Sequence, residues 1–228
     1  MSEDQVNGAA PAQSAEEAGA GAGAGFLLDL SACVGCGACV LACRIENDLP
    51  RGLSWRRIVS FNLPRWPGGA TYHFSVACHH CEDPPCVAGC PSGALRKRPD
   101  GVVALKSSLC IGCQYCAMIC PFGAPAYYRE AGVMTKCTLC SHRLDQLREP
   151  ACVEACPTRA LRFTREVDAA DDFMDATEIP GFSDPGNARP SLRFSLPGGG
   201  IRGARHEALK GRLAAGGGMD NGPREEKE

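Results

Sequence analysis

Large apolar side chains are scarce in this 228-residue chain, with 8 Phe, 4 Tyr and 2 Trp. The hydrophobic share is 44%, but it includes 16 cysteines; without them it falls to about 37%, below the usual apolar content. A chain of this length ordinarily buries one generous core or two modest ones. Here the fold needs another source of cohesion. No apolar run is long enough for a membrane helix, no heptad recurs and glycine has no three-residue period, which excludes transmembrane, coiled-coil and collagen-like classes. There is no GxGxxG loop, no Ser-His-Asp set, no paired carboxylate and no metal spacing among the five histidines. The chain therefore reads as non-catalytic. No signal peptide is apparent and Arg56-Arg57 lies too deep for a twin-arginine signal, so export would depend on a partner's signal.

What is abundant is cysteine, about 7% of the residues and several times the usual frequency. The sixteen fall into four quartets: Cys33, Cys36, Cys39, Cys43; Cys78, Cys81, Cys86, Cys90; Cys110, Cys113, Cys116, Cys120; and Cys137, Cys140, Cys152, Cys156. Three quartets end in Cys-Pro (Cys90-Pro91, Cys120-Pro121, Cys156-Pro157), and the first ends in Cys43-Arg44. Disulfides suit neither the two-residue spacing nor a chain without a secretory signal. Four-thiolate zinc sites use C-x2-C pairs set well apart. In Cys110-x2-Cys113-x2-Cys116-x3-Cys120-Pro121, three ligands sit in one tight loop and a fourth on the next helical turn. That is the bacterial ferredoxin run for [4Fe-4S] clusters, whose fourth cysteine serves a neighbouring cluster. Four quartets shared in pairs predict four [4Fe-4S] clusters. An interaction module built on structural zinc is the alternative.

Residues 1–25 and 196–228 read as disordered tails around a folded domain at 26–165, with an extended docking segment at 166–195. Phe26 to Leu30 fits a strand that delivers Cys33. The insertion at 44–77 reads as two strands, Arg57–Phe61 and Tyr72–Val76, across a Pro/Gly turn from Pro64 to Gly69. Ser92–Leu95 and Thr158–Leu161 each follow a Cys-Pro as a turn into a strand, and Asp100-Gly101 supplies a hairpin before Val102–Leu105. The expected fold class is α+β: two ferredoxin-like modules related by approximate two-fold symmetry, with a β-rich insertion.

Three phrases now identify a resemblance: Cys78-His79-His80-Cys81-Glu82-Asp83-Pro84-Pro85-Cys86; Cys110 through Pro125; and Lys136-Cys137-Thr138-Leu139-Cys140 followed by Pro150 through Thr158. Across residues 26–164 the chain resembles the four-cluster iron–sulfur subunits of dimethyl-sulfoxide-reductase-type molybdoenzyme complexes. Spacing leaves open which quartets pair; the resemblance implies a nested arrangement. Cluster 1 would be held by Cys33, Cys36, Cys39 and Cys156, and cluster 2 by Cys43, Cys137, Cys140 and Cys152. Cluster 3 would be held by Cys78, Cys81, Cys86 and Cys120, and cluster 4 by Cys90, Cys110, Cys113 and Cys116. Some relatives replace the residue matching Cys113 and carry a [3Fe-4S] centre; this chain keeps it.

The resemblance further implies a relay of single electrons in anaerobic respiration. Its partners would be a molybdopterin catalytic subunit near cluster 1 and a quinone-reactive integral membrane anchor near cluster 4. The chain itself would be peripheral on the cytoplasmic membrane. A relay subunit of a formate dehydrogenase or hydrogenase complex is the related alternative. The substrate, whether a sulfoxide, sulfite, thiosulfate, tetrathionate or an arsenic oxyanion, is not encoded here.

The formal charge of -2 conceals a division: residues 26–165 hold 16 Lys/Arg against 10 Asp/Glu, a surplus of +6, while the ends carry -8. An oxidised cluster with its four thiolates is itself about -2, so cations such as Arg44, Lys136, Arg143 and Arg159 are candidates to offset it. Nucleic acid is not an expected partner, since the basic residues are interspersed among cluster ligands and no stacking platform is present. His79 and His80, inside a complete cysteine quartet, read as donors around a cluster or as surface residues.

Overall fold

Proline placement sets the helices. The computed structural model describes residues 23–61, 71–167, 174–175 and 186–195. Its longest helix, α1 (Ala38–Glu46), carries Cys39 and Cys43 and runs on past Cys43 because no proline follows. The short α2 (Pro85–Ala88) and α5 (Ala151–Glu154) both start directly after a proline, where a preset φ favours the first turn. Helix α3 (Tyr115–Ile119) stops at an extended Cys120, as expected for a residue before proline. Helix α4 (Ser141–Leu144) follows the loop Cys137–Cys140.

The strands divide the molecule into two lobes. In the first, β1 (Gly25–Asp29) pairs antiparallel with β8 (Leu161–Thr164), and α1 packs on α5. In the second, β4 (Leu95–Lys97) pairs with β5 (Val103–Leu105), β6 (Ala126–Tyr128) pairs with β7 (Val133–Thr135), and α2 packs on α3. The insertion forms the antiparallel pair β2 (Arg57–Phe61) and β3 (Tyr72–Val76), in register from Arg57 opposite Val76 to Phe61 opposite Tyr72. The Pro64–Gly69 turn expected between them lies outside the described residues.

The C-terminal segment does more than composition suggests. Strand β10 (Leu192–Ser195) lies parallel to β1, giving a sheet of order β8-β1-β10-β9 with β9 at Met174–Asp175. Just before it, Glu82 and Asp83 donate their N–H groups to the carbonyls of Arg189 and Ala188, and Ser191 N–H donates to His79 O. The same segment therefore closes the first lobe's sheet and clamps the Cys78–Cys86 loop of the second. The chain bounds shift accordingly: Gly25, assigned to the tail by composition, opens β1. A Cβ there would come within 2.3 Å of Ser191 O, so the close parallel approach requires glycine. Residues 1–22, 176–185 and 196–228 lie outside the described residues.

The apolar core belongs mainly to the first lobe. Phe26, Leu28, Phe61, Phe74, Leu161, Leu192 and Phe194 are buried together, with Phe74 edge-on to Phe61 (4.8 Å) and to Phe194 (5.6 Å). The second lobe buries fewer large side chains: Leu95, Val103 and Met134 with Cys86 and Cys116, and Phe122 with Cys81. The insertion ties the lobes together: Trp55 Nε1 donates to Thr135 Oγ1 (3.0 Å) and Arg57 Nη2 to Phe122 O (2.7 Å).

Candidate metal centres

The ligand loops repeat one conformation. In Cys33-Val34-Gly35-Cys36-Gly37 and Cys110-Ile111-Gly112-Cys113-Gln114, the residue before the second cysteine has φ of 68° and 67°, and the residue after it 76° and 61°. Positive φ at such alternating positions turns successive N–H groups inward, as in anion-binding nests. Space enforces glycine as well: a Cβ on Gly112 would meet Gly132 O at 2.3 Å.

The Cys-Pro turns serve the sulfur. Burial raises the Cys120 thiol, but the backbone N–H groups of Ala124, Phe122 and Gly123 oppose it. At Cys90 burial also raises the thiol, yet donors from Leu95, Ser92 and Ala94 win, and Cys90 is held below the ordinary thiol range. Leu161 N–H reaches Cys156 Sγ (3.5 Å) from the third such turn. Proline thus does more than release the chain: it turns the next residues back over the ligand sulfur. Cys43, without a following proline, instead has the Asn47 side-chain amide at 3.8 Å from its sulfur. Met134 N–H at Cys110 Sγ (3.3 Å) and Leu139 N–H at Cys137 Sγ (3.4 Å) complete a set of donors suited to thiolates.

Two of the expected cysteine sets line cavities, and the remaining cysteines lie close to one another in the first lobe. Cys90, Cys110, Cys113 and Cys116 line one cavity, and Cys78, Cys81, Cys86 and Cys120 line a second together with Lys136. The Cys33 thiol, raised first by burial, is raised further by Cys39, Cys156 and Cys36. Cys43 is pushed up to about 12 by burial, opposed by Arg56 and reinforced by Cys152 and Cys140; Cys137 is raised by burial and then by Cys43. Burial likewise pushes Cys81 and Cys86 to about 12 and Cys116 to about 11. Such thiols stay protonated at neutral pH unless a cation captures the thiolate, so metal uptake here must release protons.

Buried apolar clusters link the cysteines in series. Cys39 and Cys152 share one buried apolar cluster with Cys33 and Cys156 against it. A second cluster joins Cys43 and Cys137 to Cys78, and a third joins Cys86 to Cys116, Cys90 and Cys110. Exposure follows the same order. Cys43, Cys137, Cys140 and Cys152 are all buried, whereas Cys36 and Cys113, at opposite ends of the series, are exposed. Exposed apolar side chains surround both ends: Val34 and Leu41 near Cys36, Ile111 and Met118 near Cys113.

The expected cations separate. Arg159 is exposed, and Arg44 donates to Pro50 O. Arg143 is buried between Glu46 (2.8 Å) and Glu154, bracing α1, α4 and α5. Lys136 is buried in the second cavity wall, its Nζ held by Val103 O and Cys137 O. A further buried cation, Arg56, lies among Cys39, Cys43, Cys137 and Cys152. No sequence spacing distinguishes this buried arginine from the many exposed ones, so sequence reasoning misses it. His79 and His80 are buried, which corrects the surface option. Burial lowers His79 to about 3 and His80 below its usual value, keeping both neutral. His80 Nδ1 accepts from Val103 N–H (3.0 Å), so its proton sits on Nε2.

Comparison with known proteins assigns the chemistry. A 4Fe-4S binding domain model matches residues 26–46 and a 4Fe-4S dicluster domain model residues 70–166. The chain is 46% identical over 147 residues to the probable anaerobic dimethyl sulfoxide reductase chain YnfG of Escherichia coli, covering 61% of this chain and 72% of that one. It is 43% identical over 144 residues to the thiosulfate reductase electron transfer subunit PhsB of Salmonella typhi (61% and 74%). To a sulfite dehydrogenase subunit of Allochromatium vinosum it is 41% identical over 160 residues (60% and 67%). The cofactors are therefore [4Fe-4S] clusters, with ligands for four, and the structural-zinc alternative falls. The chain belongs to the electron-transfer iron–sulfur subunits of the dimethyl-sulfoxide-reductase family.

Proposed function

We propose that this chain is the non-catalytic relay of a multi-subunit oxidoreductase, passing single electrons between a molybdopterin subunit at the Cys36 end and a quinone-reactive membrane anchor at the Cys113 end. The observation that carries the reading is the linear series of cysteine sets, buried in the middle and exposed at both ends. A [4Fe-4S] cluster supplies a one-electron couple when bound. The protein's own work is to hold the sulfurs, exclude water from the inner sets and expose one ligand at each terminus.

On this reading Cys33, Cys36, Cys39 and Cys156 form the first set and Cys43, Cys137, Cys140 and Cys152 the second. Cys78, Cys81, Cys86 and Cys120 form the third, and Cys90, Cys110, Cys113 and Cys116 the fourth. The lobes are two ferredoxin-like modules related by an approximate two-fold, a view supported by the matching α1–α5 and α2–α3 packings. The segment 186–195 acts as a docking element of this domain, supported by its contacts to both lobes. Among the described residues no helix is long and apolar enough to cross a membrane. Attachment would be peripheral, through the exposed apolar residues around Cys113.

Cys113→Ser tests the assignment. In the anaerobic holoprotein, electron paramagnetic resonance should show one cluster lost or converted and three unchanged. Four intact cubanes would refute the placement of Cys113.

A further inference from the structure

The most unusual side chain outside the ligand sets is Arg56. It is 2% exposed, and no carboxylate pairs with it among the described residues. Its Nη1 donates to Ser75 Oγ (2.9 Å) and Ser75 O (3.3 Å), while Nε and Nη2 have no hydrogen-bond partner among the described residues. The guanidinium carbon lies 4.6 Å from the Phe26 ring centre, a contact that holds the cation without neutralising it. A guanidinium cannot shed its proton, so burial on this scale demands nearby negative charge. The surrounding groups that can carry it are cysteine sulfurs: Cys152, Cys137, Cys39 and Cys43 all lie close enough to favour its charge against the cost of burial.

Ser75 extends the reach. Its Oγ accepts from Arg56, which leaves its own hydrogen for Cys39 Sγ at 3.3 Å. One cation therefore acts on both groups of cysteines, directly on Cys39, Cys43, Cys137 and Cys152, and at Cys39 also through a serine hydroxyl.

We propose that Arg56 is the built-in counter-ion of the two clusters in the first lobe, raising both their reduction potentials, with Ser75 as the positioning residue that carries its influence to Cys39. The inference rests on the ligand sets proposed above. Adding an electron makes a cluster more negative, so a fixed cation and a donor to sulfur both favour the reduced form. No titration is involved, so the effect persists across the working pH range.

The test is a potentiometric titration of the anaerobic holoprotein in its complex, followed by electron paramagnetic resonance. In Arg56→Gln, the reduced-to-oxidised ratio of the first-lobe clusters at a fixed potential should fall tenfold or more, a shift of about 59 mV for a one-electron couple. The second-lobe clusters should stay within twofold. Arg56→Lys should recover most of the second-set shift because it keeps the charge. Ser75→Ala should move the first-set cluster alone. Unchanged first-lobe potentials in Arg56→Gln, or an equal shift of all four clusters, would overturn the proposal. Should Arg56→Gln shed its iron, Ser75→Ala decides, and an unmoved first-set cluster there also overturns it. Failure of the ligand reading has a different signature: the unsubstituted chain would fall short of four clusters in iron content and spin count.

Discussion

The two lobes solve the same problem with different materials. The first surrounds its cysteines with aromatic and aliphatic side chains, a four-stranded sheet and an ion network in which Arg143 and His142 meet Glu46 and Arg143 meets Glu154. The second has two hairpins of three-residue strands and four large apolar residues, Leu95, Val103, Met134 and Phe122, around its cysteines. Each such burial contributes about 1.5–3 kcal/mol, little against the entropy of ordering four strands. Metal ligation must supply the difference in the second lobe, whereas in the first it adds to a core that already exists. The buried cations differ in the same sense. Lys136 is held by two backbone carbonyls, whereas Arg56 has one, Ser75 O, and leaves Nε and Nη2 without a hydrogen-bond partner among the described residues.

Iron removal offers the largest test of this contrast. Anaerobic chelation should collapse the second lobe first: amides of β4 to β7 should lose hydrogen-exchange protection while those of β1, β8 and β10 keep a measurable part of theirs. Simultaneous loss in both lobes would mean that the apolar core of the first does not stand without metal.

A smaller effect is expected from Lys136→Gln. Two buried carbonyls lose their ammonium donor, and an unsatisfied buried acceptor costs about 1–3 kcal/mol. Denaturant unfolding of the holoprotein should show that loss, and the third-set cluster should become harder to reduce while the first-set cluster is unmoved. Equal movement of both would erase the distinction between the two cations.

The smallest effect belongs to the shared ion network of the first lobe, in which one arginine meets two carboxylates. Burial raises the Glu46 carboxyl, but hydrogen bonds from His142 and Arg143 outweigh it, leaving Glu46 below the usual carboxylate range. Since the folded-state pKa is the lower one, the stabilisation is present above the unfolded value of about 4.3 and disappears as pH falls through the folded value. Partial exposure limits it to about 0.5–1 kcal/mol. Thermal unfolding should show Glu46→Gln below the parent at pH 7, with the gap closing on acidification. A gap independent of pH would assign the loss to packing instead.

Much of the local architecture is legible in the sequence. The insertion hairpin, the hairpin around Asp100-Gly101 and the strands after Cys90-Pro91 and Cys156-Pro157 each follow from a turn signal or alternation within about ten residues. The C-terminal strand is not legible in this way. Leu192-Arg193-Phe194-Ser195 has a strand-like alternation, but nothing in it specifies a parallel partner more than 160 residues earlier. The burial of Arg56 and of His79 and His80 is equally hidden, because each depends on what the distant segments at 74–76, 103 and 188–194 place over it.

The chemistry is written in short stretches of sequence: four cysteine quartets, two of them at ferredoxin spacing, glycines where the loops need positive φ, and prolines that turn the chain directly after three of the cysteines. Those are short-range constraints, set by covalent geometry and by turns of a few residues. Only the packed chain shows which cysteines adjoin, which reach the surface, and which cation is buried among them. These depend on packing between residues far apart in the chain, where exclusion of water makes an uncompensated charge costly and so makes a single arginine consequential.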